Sequence, residues 1–271
     1  MKLNDKVVII TGASSGIGKA LAIEFASRGA NLVLASRQYV ALCELTENLI
    51  NKYDIKAVAV QCDVTIEDDC SHLIKQAILT FNQIDILVNN AGISMRALFK
   101  DVDLNVLKTV MDVNFWGTVY CTKYALPHIE KTQGSIVGVS SIAGYKGLPG
   151  RTGYSASKFA MNGFLDALRI ENLKTGVHVM TACPGFTASN IRNTALAKDG
   201  SQQGESTLDE GKMMTAEEVA KIIANGVEKR SRTLTMTGQG KLTVTLSKFF
   251  PAWLDKLVYN NFAKEKDALL K

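Results

Sequence analysis

With 271 residues, 46% apolar and 21% charged, the chain has the composition of a folded globular protein and not of a disordered or fibrous one. Five cysteines, odd in number and without C-x-x-C spacing, argue against a disulfide framework or a zinc cage and for a reducing compartment. The net charge of +5 sits at the end of the chain, where ten Lys/Arg face four Asp/Glu from Lys221 onward. Such a tail reads as a solvated lysine face, so no nucleic-acid partner is expected. The opening Met1-Lys-Leu-Asn-Asp-Lys6 leads into an apolar stretch too short for a signal peptide or a span, and no run reaches eighteen apolar residues. A cytoplasmic protein is expected.

In chain order, short β-branched runs alternate with longer stretches of helical period, the pattern of a parallel sheet wrapped by helices. Strands are predicted at Val7–Thr11, Leu32–Ala35, Ala57–Gln61, Ile86–Val88, Ser135–Val139, His178–Ala182 and Thr233–Met236. Ile17, Leu21 and Phe25, and later Leu73, Ile74, Ala77, Ile78 and Phe81, form core-facing helical stripes. With no long linker or repeat, residues 1–271 read as a single doubly wound α/β domain. A polar stretch, about 187–214, has the length of a substrate lid. A helix restarts at the capping box Thr215-Ala-Glu-Glu218. The last segment, about 247–266, is a basic helix with an apolar stripe of Phe249, Phe250, Trp253, Leu254, Leu257 and Val258, with Pro251 in a first turn.

The first strand runs into Thr11-Gly12-Ala-Ser14-Ser15-Gly16-Ile17-Gly18 and then a helix. Glycines let the backbone turn tightly beside a pyrophosphate, and the helix N-terminus offers free N–H groups and partial positive charge. The glycine spacing departs from G-x-G-x-x-G. With Asn89-Asn90-Ala91-Gly92 after the fourth strand, Asn114 in a helix, Ser141 after the fifth strand, the Tyr154-x-x-x-Lys158 pair and Pro184-Gly185 after the sixth, it resembles the short-chain dehydrogenase/reductase family over roughly the first 190 residues. That resemblance implies a Rossmann-type, seven-stranded parallel sheet in the order 3-2-1-4-5-6-7.

Reducing a ketone by hydride transfer leaves an alkoxide that needs a proton. Tyr154 is the candidate acid. A free phenol with pKa near ~10 holds its proton too tightly, and Lys158, one helical turn on, is expected to lower that value with its charge. Ser141, thirteen residues before Tyr154 in the position the family uses, is implied by the resemblance to hydrogen-bond the developing oxyanion, with its neighbour Ser140 expected to be structural. The resemblance implies further roles: Lys158 on the nicotinamide ribose, Asn114 holding a water in a proton relay, Asp63 with Val64 at the adenine, Asn90, Ala91 and Gly92 against a ribose, and Pro184, Gly185 and Thr187 at the carboxamide and pyrophosphate. Asn114 reads almost as well as a buried polar group bonding to backbone, and Asn89 as a tie between strands. His72, His128 and His178 are isolated, and no metal site is expected.

Ser36 stands where an NAD-selecting fold carries Asp or Glu. Arg37 follows with a planar cationic fork suited to a 2′-phosphate, and Ser14 and Ser15 add hydroxyl donors. The expected cofactor is NADP(H). The expected activity is a carbonyl reductase acting on a small-molecule ketone or alcohol of apolar kind, such as a 3-oxoacyl chain, a sphingoid base or a steroid. Family members are commonly homo-dimers or homo-tetramers. The C-terminal stripe packs on the body or a neighbouring subunit, covers a substrate entrance, or gives peripheral membrane contact. The rival reading is a non-catalytic dinucleotide-binding redox sensor or interaction protein, against which the joint presence of Ser141, Tyr154 and Lys158 speaks.

Overall fold

The computed structural model of the chain describes residues 1–188, 191–204, 213–264 and 268–270. Seven parallel strands form one sheet: β1 (Val7–Thr11), β2 (Asn31–Ser36), β3 (Ala57–Gln61), β4 (Ile86–Asn89), β5 (Ser135–Val139), β6 (His178–Cys183) and β7 (Thr233–Thr235). Their order is β3-β2-β1-β4-β5-β6-β7, as expected. Strand ends move by a residue: β4 and β6 each extend one further, and β7 stops at Thr235.

Alternation along the strands supplies both faces of the sheet. Val8 and Ile10 of β1 join Leu32 and Leu34 of β2 in one core. That core includes Leu21 and Phe25 of α1 (Gly16–Ser27), Leu42 and Leu45 of α2 (Tyr39–Tyr53) and Ile223 of α7 (Ala216–Glu228). Val7, Ile9 and Val33 point the other way. They pack with Leu73 of α3 (Glu67–Phe81), Ile129 of α5 (Gly117–Thr132) and Leu165 of α6 (Thr152–Glu171). With both faces covered, β1 is buried along its whole length, which is why it reads as an unbroken apolar run. The α7 capping box is formed, Glu218 N–H donating to Thr215 Oγ1 and Thr215 N–H to Glu218 Oε2.

The order in which strands are added turns back between β1 and β4, which run parallel, so a crevice opens beyond their carboxyl ends. Thr11 stitches the two ends together: its Oγ1 accepts the N–H groups of Asn90 and Ala91, both at 3.0 Å. At β5, a Cβ on Gly138 would lie 2.3 Å from Leu165 Cδ1, so the absent side chain lets α6 lie close against the sheet.

Two expectations change, and the long helix expected around Asn114 is present with a local π turn. Asn89 ties β4 to a helix instead of to a strand, donating from Nδ2 to Thr122 Oγ1 of α5 at 3.0 Å. Asn114 sits in a π-helical turn, Asp112–Trp116, between α4 (Leu104–Met111) and α5. The C-terminal segment is two helices, α8 (Gly238–Phe249) and α9 (Pro251–Phe262), because Pro251 has no N–H to continue α8 and starts a new first turn. The expected stripe is thereby divided: Leu254 is buried, whereas Phe249, Phe250 and Trp253 face outward.

Of the expected lid, residues 189–190 and 205–212 lie outside the described residues. Leu196 pairs with the segment after β4, its N–H donating to Ser94 O and its carbonyl accepting from Arg96 N–H, both at 2.9 Å. Among the described residues no helix is long and apolar enough to cross a membrane. All five cysteines are free thiols.

Candidate active site

A cleft of about 1170 Å³ occupies the crevice. Every residue singled out from the sequence as catalytic or cofactor-binding lines it, except Asn114.

At one end lies the glycine turn. Gly12 and Gly16 have φ of +64° and +51°, which disfavours any side chain there. A Cβ on Gly18 would fall 2.1 Å from the carbonyl oxygen of Gly12, so this contact of backbone on backbone requires glycine. Ser15 at the N-cap of α1 makes no side-chain cap, and the first turn carries no acidic residue. The first amides of α1 therefore face the cleft with neither a capping side chain nor a local carboxylate, a cradle suited to an anionic pyrophosphate. Asn90 supports this turn, its Nδ2 donating to Thr11 O at 2.9 Å and Gly12 O at 3.3 Å. Beside the turn, β2 ends at Ser36 without charge, and Arg37 holds a largely exposed guanidinium 3.8 Å from Asp63 Oδ2. Asp63 Oδ1 accepts from Thr65 N–H and Oγ1, which fixes the carboxylate at the cleft edge.

The wall formed by β5 and α6 carries the candidate chemistry. Ser141 caps the short 3₁₀ turn Ile142–Gly144, accepting from Ala143 N–H at 3.1 Å, which leaves its own O–H to donate into the cleft. Tyr154 and Lys158 project from successive turns of α6, with Lys158 Nζ 5.8 Å from the Tyr154 ring centre. Lys158 Nζ donates to Val139 O at 2.8 Å. Both side chains are buried. Burial raises the Tyr154 phenol above its ordinary value, opposed by hydrogen bonding to Ser141 and by the positive charge of Arg151 and Arg192. Burial also pulls the Lys158 ammonium down to about 8. This reverses the expected lowering of the phenol: desolvation outweighs the nearby cations. Ser140, expected to be structural, also lines the cleft.

Asn114 stands behind this wall, fully buried. Its Oδ1 accepts from Ile93 N–H at 2.8 Å, and its Nδ2 donates to Ile93 O at 3.0 Å and Ser157 Oγ at 2.8 Å. Ser157 Oγ donates in turn to Tyr154 O, so Asn114 is coupled to the turn that carries Tyr154. A Cβ on Gly92 would come within 3.2 Å of Asn114 Oδ1 and 3.5 Å of Lys158 Nζ, which places all three together. Ser157 carried no motif in the sequence and is found only through these contacts.

Around Tyr154 the lining carries an apolar patch, with Arg151 and Arg192 beside it. Val113, Leu148, Ile191 and Leu196 line the cleft, and Leu254 and Leu257 of α9 close over it. Lys146, in the loop before α6, pairs with Asp255 of α9 and ties that helix down. Ile191 and Leu196 belong to the stretch expected as a lid, whereas sequence reading missed Val113, in the π-helical turn, and Leu148, in a loop, neither of which carries a portable spacing. Pro184, Gly185 and Thr187 line the middle of the cleft after β6.

Comparison with known proteins agrees with this geometry. Over 270 residues the chain is 36% identical to 11-beta-hydroxysteroid dehydrogenase 1A of Arabidopsis thaliana, covering 95% of this chain and 76% of that protein. It is 33% identical to dehydrogenase/reductase SDR family member 7B of Danio rerio, covering 97% and 87%. Among solved structures, a short chain dehydrogenase/reductase from Burkholderia phymatum in complex with NAD superposes with a TM-score of 0.83 at 23% identity, covering 94% of this chain and 96% of that one. An alcohol dehydrogenase from the archaeon Thermococcus sibiricus complexed with 5-hydroxy-NADP gives a TM-score of 0.77 at 23% identity, covering 86% and 96%. The pattern described as short chain dehydrogenase matches residues 6–200, and with the glycine turn, the Tyr154–Lys158 pair and the sheet order it establishes that the chain belongs to the short-chain dehydrogenase/reductase family of oxidoreductases.

Proposed function

We propose that the protein is an NADP(H)-dependent carbonyl reductase that interconverts a ketone and a secondary alcohol on an apolar, lipid-like substrate. The observation that carries this reading is the convergence of Ser141, Tyr154 and Lys158 on one wall of a cleft that ends at the uncapped start of α1. A nicotinamide dinucleotide held there supplies or accepts the hydride. The amides of α1 with Ser14 and Ser15 would hold its phosphates, and Asp63 and Val64 would lie at its adenine. Ala91, Gly92, Pro184, Gly185 and Thr187 would line its path, and the Lys158 donors not used on Val139 O would be available to its ribose.

Tyr154, kept protonated at neutral pH by burial, donates its O–H to the oxygen that becomes alkoxide, and Ser141 donates a hydrogen bond to the same oxygen. Lys158, with a value near 8, is poised to return a proton to the phenol, with Asn114 steadying the turn between them. Ser36 and Arg37 support NADP(H) over NAD(H), because an uncharged residue and a cation suit a 2′-phosphate.

The apolar patch in the cleft supports a lipid-like ketone, whether 3-oxoacyl, sphingoid or steroid, and the hydroxysteroid dehydrogenases among the relatives support the steroid member of that range. The proposal includes a cytoplasmic setting, supported by the free cysteines, and a homo-dimer or homo-tetramer. The exposed aromatics Trp116 and Phe159 support assembly, which light scattering checks.

The test is a screen of carbonyl substrates read by NADPH absorbance, repeated on Tyr154→Phe. Turnover should fall about 10²–10⁴-fold while dinucleotide affinity stays near wild type, because the change removes a proton donor and no phosphate contact. Dinucleotide binding without turnover on any carbonyl would favour the redox-sensor reading, and full activity of the variant would remove Tyr154 from the mechanism.

A further inference from the structure

The junction of α8 and α9 exposes five consecutive apolar residues, Phe249-Phe250-Pro251-Ala252-Trp253. Phe249 is 71%, Phe250 61% and Trp253 55% exposed, unusual for aromatic side chains in one contiguous stretch. The break at Phe250 makes this stretch a protruding corner, since α8 ends and α9 begins there. The two helices that meet there carry a net positive charge. Within residues 238–264 the chain carries Lys241, Lys248, Lys256 and Lys264 against Asp255 alone, and Asp255 is already paired with Lys146.

We propose that this corner seats in the anionic face of a lipid bilayer, with the aromatic side chains among the upper acyl chains and the lysines at the headgroups. Flanking lysines can bury their stems while their charges stay at the headgroup level, and Trp and Phe favour this depth. Charge complementarity selects an anionic surface, since each lysine near it strengthens binding about fivefold.

The corner is also continuous with the cleft. Leu257, one turn beyond Trp253, is 38% exposed and lines the cavity, while Leu254 is buried beneath it. An apolar path therefore runs from the outer stripe of α9 to the cavity wall, so a lipid-like substrate would enter from the bilayer. That entry route rests on the apolar-substrate reading, whereas the docking itself does not.

The experiment is sedimentation of the purified full chain with phosphatidylcholine vesicles, with and without phosphatidylserine, at low and high salt. Wild type should sediment with the anionic vesicles and be released by salt. The variant Phe249→Ser/Phe250→Ser/Trp253→Ser should bind at least tenfold more weakly. Lys248→Glu/Lys256→Glu, which alters no apolar side chain, should also lose at least tenfold and serves as the second arm if the aromatic variant misfolds. On a Trp116→Phe background, Trp253 fluorescence should shift to the blue on adding anionic vesicles. Absence of sedimentation, or wild-type sedimentation by both variants, would overturn the proposal. So would a vesicle-indifferent dimer that the aromatic variant dissociates, because a second copy would then cover the corner. Tyr154→Phe should sediment like wild type, so failure of the catalytic reading is told apart from failure of docking.

Discussion

Tyr154 and Lys158 are both inside the protein, and burial drives each toward its neutral form: the phenol keeps its proton and the amine gives its proton up more readily. For Lys158 this has a consequence for stability. The folded group loses its proton near 8, against 10.5 ordinarily. Below pH 8 both states are protonated and the folded state bears the whole desolvation cost, about 3 kcal/mol at ~1.4 kcal/mol for each pH unit. Between 8 and 10.5 the unfolded chain binds more protons than the folded one, so stability rises with pH. Lys158→Met should therefore be inactive yet more stable than wild type at pH 7, by about 2 kcal/mol once the lost bond to Val139 O is subtracted. Denaturant melts should show that advantage shrinking from pH 8 upward. An advantage that stays constant with pH would mean that Lys158 carries no desolvation cost.

At the scale of elements, the proposed preference for NADP(H) rests on the end of β2. Ser36 and Arg37 lie on the cleft edge next to the glycine turn, where one carboxylate decides between a bare ribose and a 2′-phosphate. Replacing both, Ser36→Asp with Arg37→Ala, removes a charge-assisted contact of about 1.5–3 kcal/mol and adds repulsion. The ratio of kcat/KM for NADPH over NADH should fall by at least about tenfold. A wild-type preference for NADH, or an unchanged ratio in the variant, would contradict the assignment. The Arg37–Asp63 pair is too exposed to set the fold, so thermal stability should change little.

For the whole molecule, the cleft is assembled from segments far apart in the chain: the glycine turn, the ends of β4 and β5, residues between Ile191 and Gln202, and α9. Leu254 and Leu257 of α9 close over the cleft, and the Lys146–Asp255 pair holds the helix there. Ending the chain before Phe249 should reduce kcat/KM more for long-chain or steroid ketones than for small ones, if the proposed apolar substrate extends under α9. Equal losses across substrate size, with a lowered melting temperature, would assign α9 to folding or assembly instead.

What could be read from the sequence was local. Strand and helix periods alternate along the chain, so neighbouring residues disclose a parallel sheet wrapped by helices, whereas the strand order was implied by the family resemblance and not by the periods. The glycine turn, the Thr215 capping box and the Tyr154–Lys158 spacing are likewise written within a few residues, because turn geometry and helical pitch act over that range. Tertiary structure decided the rest. The bonds of Asn114 to Ile93 and Ser157 and the division of the C-terminal stripe into buried Leu254 and exposed Trp253 depend on segments distant in sequence. So does the rise of the Tyr154 phenol, which burial governs over the charge of neighbouring cations. Burial and proximity are properties of the folded whole, and desolvation has no signature in the order of the residues.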